Sequence, residues 1–158
     1  MQLTRYTDYA LRVLIHLAAA PGERSTIPDI ARTYGLSTNH LMKVVHQLGK
    51  GGFIVTRRGR NGGFALSQAP EQITIGSVVR HAEPDMRMAD CSGCALRDAC
   101  GLTAILAQAT SAFMAVLDSH SLAEAARDRV GLAALIAALP RPPSSVSGDA
   151  SCPSPRPD

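Results

Sequence analysis

Tryptophan is absent from this chain, and three Tyr with three Phe bring its aromatic content to only 4%. A core for 158 residues must therefore come from Leu, Ile, Val and Ala. Long apolar runs are also missing. The run Leu11 to Ala20 is broken by Arg12 and His16 and preceded by Asp8, where a secretory signal would be basic. It also falls far short of the roughly 20 apolar residues that span a bilayer. The expectation is a soluble, cytoplasmic protein with no membrane partner. No internal repeat is visible. Cysteine is scarce, four in all, and in a reducing compartment so few thiols read as metal ligands or redox groups rather than a disulfide framework.

What is present fits one compact domain with an appendage. The hydrophobic share of 46% and charged share of 18% are ordinary for a globular chain. The net charge of +3 is unevenly spread. Residues 1–80 hold ten Lys/Arg against four Asp/Glu, a balance of +6, and residues 81–158 hold six against nine, a balance of −3. A basic front half suits phosphates.

Helical spacing runs over residues 4–20 and stops at Pro21-Gly22. Thr26 then caps a second helix, with Pro28 and Asp29 suited to its first turn and Gly35 to its end. Ser37 is a second capping residue, opening a helix with Leu41, Val44, Val45 and Leu48 on one face and Gly49 to Gly52 at its close. Two short helices around a Gly-containing turn make a helix-turn-helix over about 28–51. Residues 53–56 and 64–66 read as strands, and Asn61-Gly62 between them is a hairpin signal. The fold class expected is therefore mainly α with a small β-hairpin wing: a winged helix-turn-helix over 1–83, its wing at about 53–66. Thr74 to Glu83 form one more helix, stopped by Pro84. Residues 84–100 are a loop holding three cysteines. From Leu102, the steps Leu102, Leu106, Ala109, Phe113, Val116 are those of a coiled-coil seam, widened by Ile105, Ala112 and Leu117. A long dimerisation helix and a last helix over 121–139 complete 101–139. The tail 140–158 holds six of the ten prolines, a composition that buries no core, and reads as disordered.

A helix reads the major groove through exposed side chains near its N-terminus. Here these are Thr38, Asn39, His40 and Lys43, followed by His46 and Gln47. The hairpin tip adds Arg57, Arg58, Arg60 and Asn61, and arginines on a thin ribbon suit phosphate or minor-groove contacts. The bland reading is a solvated hairpin behind generic helices; the charge on the same half favours double-stranded DNA. A seam helix then implies a homodimer on a pseudo-palindromic operator, with half-sites about one turn apart.

Cys91, Cys94 and Cys100 follow the spacing C-x2-C-x5-C, with Gly93 and short neighbours allowing a tight turn. A zinc site wants a fourth ligand, usually from a second Cys/His pair, which is not visible. A redox disulfide lacks the strand-then-helix setting and leaves Cys100 over. An iron–sulfur cluster accepts three Cys and one other ligand. Spacing alone leaves the three open. An enzyme would need a poised acid or base, and only His81 and Asp98 lie near, so a thiol or iron–sulfur redox enzyme is the weaker reading. Cys152, in the tail, reads as a bystander.

Residues 1–12 (MQLTRYTDYALR), 39–45 (NHLMKVV) and 58–63 (RGRNGG) together resemble the IscR/NsrR family of winged-helix regulators, over about residues 1–135. Gln2-Leu3-Thr4, Glu83-Pro84, Leu117-Asp118 and Ser121-Leu122-Ala123 are most similar to its nitric-oxide-sensing repressors. The resemblance implies one 2Fe–2S or 4Fe–4S cluster per subunit on Cys91, Cys94 and Cys100. It also implies Asp8 of the partner subunit as a further ligand; alone, Asp8 reads as a helix-start carboxylate. The function implied is repression of nitrosative-stress genes, released by nitric oxide, with an iron- or redox-responsive sister regulator as the alternative. Two features depart from relatives. The gap between Cys91 and Cys94 is short, and Thr103 stands where members sensing cluster supply carry His.

Overall fold

The computed structural model describes residues 2–20, 22–59, 62–96 and 99–138. The first helix, α1, spans Arg5–Ala19. Thr4 caps it by accepting a hydrogen bond from the Thr7 N–H, which satisfies one of the otherwise unpaired donors of a helix start. Its inner face is Thr7, Ala10, Val13, Leu14, Leu17 and Ala18, the three-and-four stepping of an amphipathic helix. Next, α2 covers Ile27–Tyr34, with Thr26 accepting from the Asp29 N–H and Gly35 in the left-handed region at φ 62°. Gly35 takes that conformation at no steric cost.

The third helix, α3, runs Thr38–Lys50. Ser37 holds the cap position as expected but makes no side-chain capping bond; the helix end is exposed, so solvent can serve those donors. A hairpin follows, β1 (Ile54–Arg57) with β2 (Gly63–Leu66), antiparallel with Ile54 opposite Leu66 and Arg57 opposite Gly63. Ser25 exchanges both backbone bonds with Phe64, which ties the α1–α2 connection to the wing. The expected turn at Asn61-Gly62 lies partly outside the described residues.

A 3-10 turn at Pro70–Gln72 leads to α4 (Ile75–Ala82), capped by Thr74. After the cysteine loop, α5 spans Leu102–Asp118. The single helix expected over 121–139 is two, α6 (Leu122–Ala125) and α7 (Arg129–Ala138). Local side chains cause the break. Ser121 and Glu124 form a capping box that starts α6, and Asp128 accepts from the Gly131 N–H at 2.8 Å, starting a new helix. The tail 140–158, with Cys152, lies outside the described residues.

One core joins α1, α2, α3, the hairpin, α4 and α6, centred on Leu14, Leu41, Leu48, Ile73 and Leu122. The connection after α5 is stitched back by the Ile75 N–H to the His120 carbonyl and the Leu122 N–H to the Ile73 carbonyl, at 2.9 and 2.7 Å. The exception is α5. It packs on α4, yet Met114 is its only buried residue. Among the described residues no helix is long and apolar enough to cross a membrane.

Candidate functional site

The sequence of α3 gives it two faces. Leu41, Val44, Val45 and Leu48 are buried in the core, which fixes the helix against α1 and α2. Thr38, Asn39, His40, Lys43, His46 and Gln47 are all exposed, and α3 contains no carboxylate. Such a face offers amide, hydroxyl and cationic groups to base edges and phosphates without like-charge repulsion. Met42, 49% exposed among them, escaped the sequence reading. Its signal was an apolar residue lying off the helix's apolar stripe, and such a group can cover a thymine methyl.

Arg57 ends β1 and Arg58 follows it, both exposed. Arg60 and Asn61 lie outside the described residues. Arg57, Arg58 and Lys43 make no ion pair with a described residue, whereas Arg12, Arg32, Arg80 and Arg87 are each held by a carboxylate. The cations on the reading side are thus open to an external anion.

The cysteine loop is organised by its own polar groups. Arg87 pairs with Asp85 at 2.7 Å and reaches Asp90 at 3.9 Å; the Arg87 hydrogen bond holds the Asp85 carboxyl below the usual carboxylate range. Asp90 accepts from the N–H and hydroxyl of Ser92, at 3.0 and 2.6 Å. Cys94 N–H turns back to the Cys91 carbonyl at 3.4 Å. All three thiols are free; Cys91 and Cys100 are half-buried and Cys94 is exposed. Cys91 borders a cavity of about 570 Å³ between the loop and α5, walled by Met86, Met88, Leu106 and Met114 among others.

The expected convergence of the thiols on one centre is not seen. Among the described residues, no three His, Cys, Asp or Glu side chains gather closely enough to hold a metal ion. Asp8 does not line the cavity beside Cys91; it sits on the surface of α1, paired with Arg12 at 2.9 Å. The donor set nonetheless suits iron. Three unpaired thiols stand within ten residues on a partly exposed loop, and soft thiolates are the ligands that iron–sulfur clusters take.

The last turn of α4 joins the loop to the rest of the fold, and sequence reading missed most of it. Glu83, buried at 9% exposure, accepts from the Thr7 hydroxyl at 2.6 Å and from the Thr4 N–H at 2.7 Å. Burial pushes its pKa up, but the bonds from Thr7 and Thr4 outweigh this and leave it below the ordinary value. Arg80 pairs with Asp118 at the end of α5. His81 Nε2 lies 2.9 Å from the Gln47 carbonyl of α3. The sequence marked Thr4, Glu83 and Asp118 only as points of family resemblance, and nothing local to any of them named its partner.

Comparison with known proteins agrees with this architecture. The family model Rrf2, described as an iron-dependent transcriptional regulator, matches residues 3–128. The chain is 46% identical to the HTH-type transcriptional regulator NsrR of Bacillus subtilis over 142 residues, 86% of this chain and 97% of that one. It is 50% identical to NsrR of Bacillus licheniformis over 128 residues, 77% of this chain and 90% of that one. Among solved structures it is similar to CymR, the global cysteine regulator of B. subtilis, with TM-score 0.68 at 26% identity, over 81% of this chain and 98% of that one. The fold is also that of IscR from T. potens, TM-score 0.67 at 23% identity, over 81% and 88% of the two chains. These relatives and this fold are those of transcriptional regulators, not enzymes. A helix-turn-helix with a basic wing, a three-cysteine loop and a family match over nearly all of the structured chain lead to one assignment: the protein is an NsrR-type transcriptional regulator and belongs to the Rrf2 family.

Proposed function

We propose that this regulator is a cytoplasmic, homodimeric repressor of nitrosative-stress genes whose hold on a pseudo-palindromic operator depends on an iron–sulfur cluster and is released by nitric oxide. Residues 1–83 read DNA, 84–100 hold the cluster, and 101–139 join the subunits. Cys91, Cys94 and Cys100 would supply the thiolates, and Asp8 of the partner subunit the remaining ligand. When bound, the cluster supplies iron at which nitric oxide can react. The residues of the chain do the rest.

The observation that carries the reading is the junction at α4: one short helix touches the reading helix, the start of α1 and the end of α5, then runs straight into the cysteine loop. A loop drawn together by its thiols pulls on that junction; a loop let go does not. Thr38, Asn39, His40 and Lys43 would read bases, and Arg57 and Arg58, with Arg60 and Asn61 by their place in the sequence, would contact the backbone and minor groove. Dimerisation is supported by α5. Leu102, Ile105 and Val116 are 52%, 62% and 59% exposed, and with Ala109 and Ala112 they form one stripe at steps of three and four. Burying the part of each large side chain that is still exposed is worth about 1–2 kcal/mol, which a second copy of the helix can supply. Asp8, on the surface of α1 and away from its own cavity, is open to a second copy.

The test is purification without oxygen followed by iron and sulfide analysis and gel shifts with and without nitric oxide. The expected result is brown protein with one cluster per subunit, bound to its operator and displaced by nitric oxide. Colourless, iron-free protein that still binds the operator at full strength overturns the reading.

A further inference from the structure

We propose that His81 is a positioning residue that transmits the state of the cysteine loop to the reading helix, by clasping the C-terminal turn of α3. The inference rests on the function proposed above and names the contact through which it works. Three observations meet at this imidazole. His81 Nε2 lies 2.9 Å from the Gln47 carbonyl, which already accepts from the Gly51 N–H at 2.8 Å. A carbonyl only accepts, so Nε2 carries the proton and the ring is held in one tautomer. The ring also stands edge-on to Phe53, with centroids 5.4 Å apart, and Phe53 leads into β1 of the wing. Finally, Gly51 fits around the ring. A Cβ there would come within 2.7 Å of His81 Cε1 and 2.9 Å of Phe53, closer than atoms pack, so glycine is what lets the end of α3 lie directly against the imidazole.

Chain position gives this clasp its direction. Only Ala82 and Glu83 separate His81 from the loop that begins at Pro84. His81 grips the end of α3, Glu83 grips the start of α1, and Arg80 holds α5 through Asp118. A displacement of residues 84–100 therefore reaches α3 by the shortest covalent route through His81, while Glu83 fixes the frame against which it moves. The exposed ring buries little of the core, so its removal leaves the fold standing.

The experiment compares wild type, His81→Ala and His81→Gln, each as full-length protein loaded with cluster and stripped of it. The ratio of operator affinities between the two states is measured, with the cluster absorption spectrum and the thermal midpoint of each. Gln can still donate an N–H to the Gln47 carbonyl, and Ala cannot. The expected result is an unchanged spectrum in all three and a loaded-to-stripped ratio that falls at least tenfold in His81→Ala and largely returns in His81→Gln. Hydrogen exchange at the amides of residues 47–53 should differ between loaded and stripped wild type and be alike in both states of His81→Ala. A ratio untouched by His81→Ala, or equal weakening of both states, overturns the role of His81 and leaves the regulator's function intact. A wild type that takes no cluster, or binds DNA alike in both states, overturns the functional reading and the role of His81 with it.

Discussion

Glu83 accepts hydrogen bonds from Thr4 and Thr7, residues nearly eighty positions earlier, and two properties of the protein follow from that pairing. Glu83→Gln keeps an oxygen that can accept from Thr4 and Thr7 but loses the charge that strengthens those bonds, so it should destabilise the fold by about 1–2 kcal/mol in urea unfolding, the difference between charged and neutral acceptors. Thr7→Val, which leaves the buried carboxylate short of a donor, should cost a similar amount. Glu83 also has a pH signature. Its folded pKa lies below the ordinary 4.5 because the bonds from Thr7 and Thr4 outweigh the opposing effect of burial. Its contribution is therefore complete above 4.5 and is lost as acid carries the pH down through the folded value. Stability of wild type minus that of Glu83→Gln, followed from pH 7 to pH 3, should shrink towards acid. A constant difference would mean that the carboxylate charge plays no part.

Elements that carry their own punctuation were legible in the sequence, and elements bounded by distant contacts were not. Thr26, Pro28 and Gly35 delimit α2 as expected because caps and stops are local chemistry. Asn61-Gly62 between two apolar runs located the wing. The break between α6 and α7 depends on an Asp128 side chain that no apolar periodicity records. Nor could spacing say which apolar row of α5 meets its own body: Leu106 and Phe113, read as seam residues, are half-buried, and the exposed stripe is shifted to Ile105 and Ala112. The cysteine spacing was legible, but among the described residues the loop does not bring all three thiols to one centre, and spacing alone does not set that geometry. At this scale α3 and the wing should separate by experiment. Arg57→Ala and Arg58→Ala should weaken all DNA alike and each lower the slope of log affinity against log salt by about one. Asn39→Ala should instead cost about 1–3 kcal/mol on the operator and relax base preference at one position. For α5, Ile105→Glu places a charge on an exposed site, so the subunit should keep its circular dichroism and sediment as a monomer. A dimer that survives that substitution moves the interface elsewhere.

In the whole molecule, the part proposed to sense is held apart from the part that folds. Among the described residues, the hydrophobic core cluster is drawn from positions up to Ala82 and from Leu122 onward, and none of it comes from the cysteine loop. The loop is held by short-range polar contacts among Asp85, Arg87, Asp90 and Ser92, which stabilise little when exposed. A zinc finger has the opposite arrangement, since its metal takes the place of a core and its removal unfolds the chain. Here Cys91→Ser, Cys94→Ser and Cys100→Ser should each abolish iron binding. Their metal-free unfolding free energies should nonetheless lie within about 0.5 kcal/mol of metal-free wild type, the range of surface substitutions. Calorimetry on the stripped proteins, beside iron analysis of the loaded ones, reads both halves of that expectation. Unfolding of wild type on loss of iron would make the metal structural. If the fold persists, loading can shift the balance between two folded arrangements by the difference in its affinity for them, and the reading head can let go of DNA without the protein being lost.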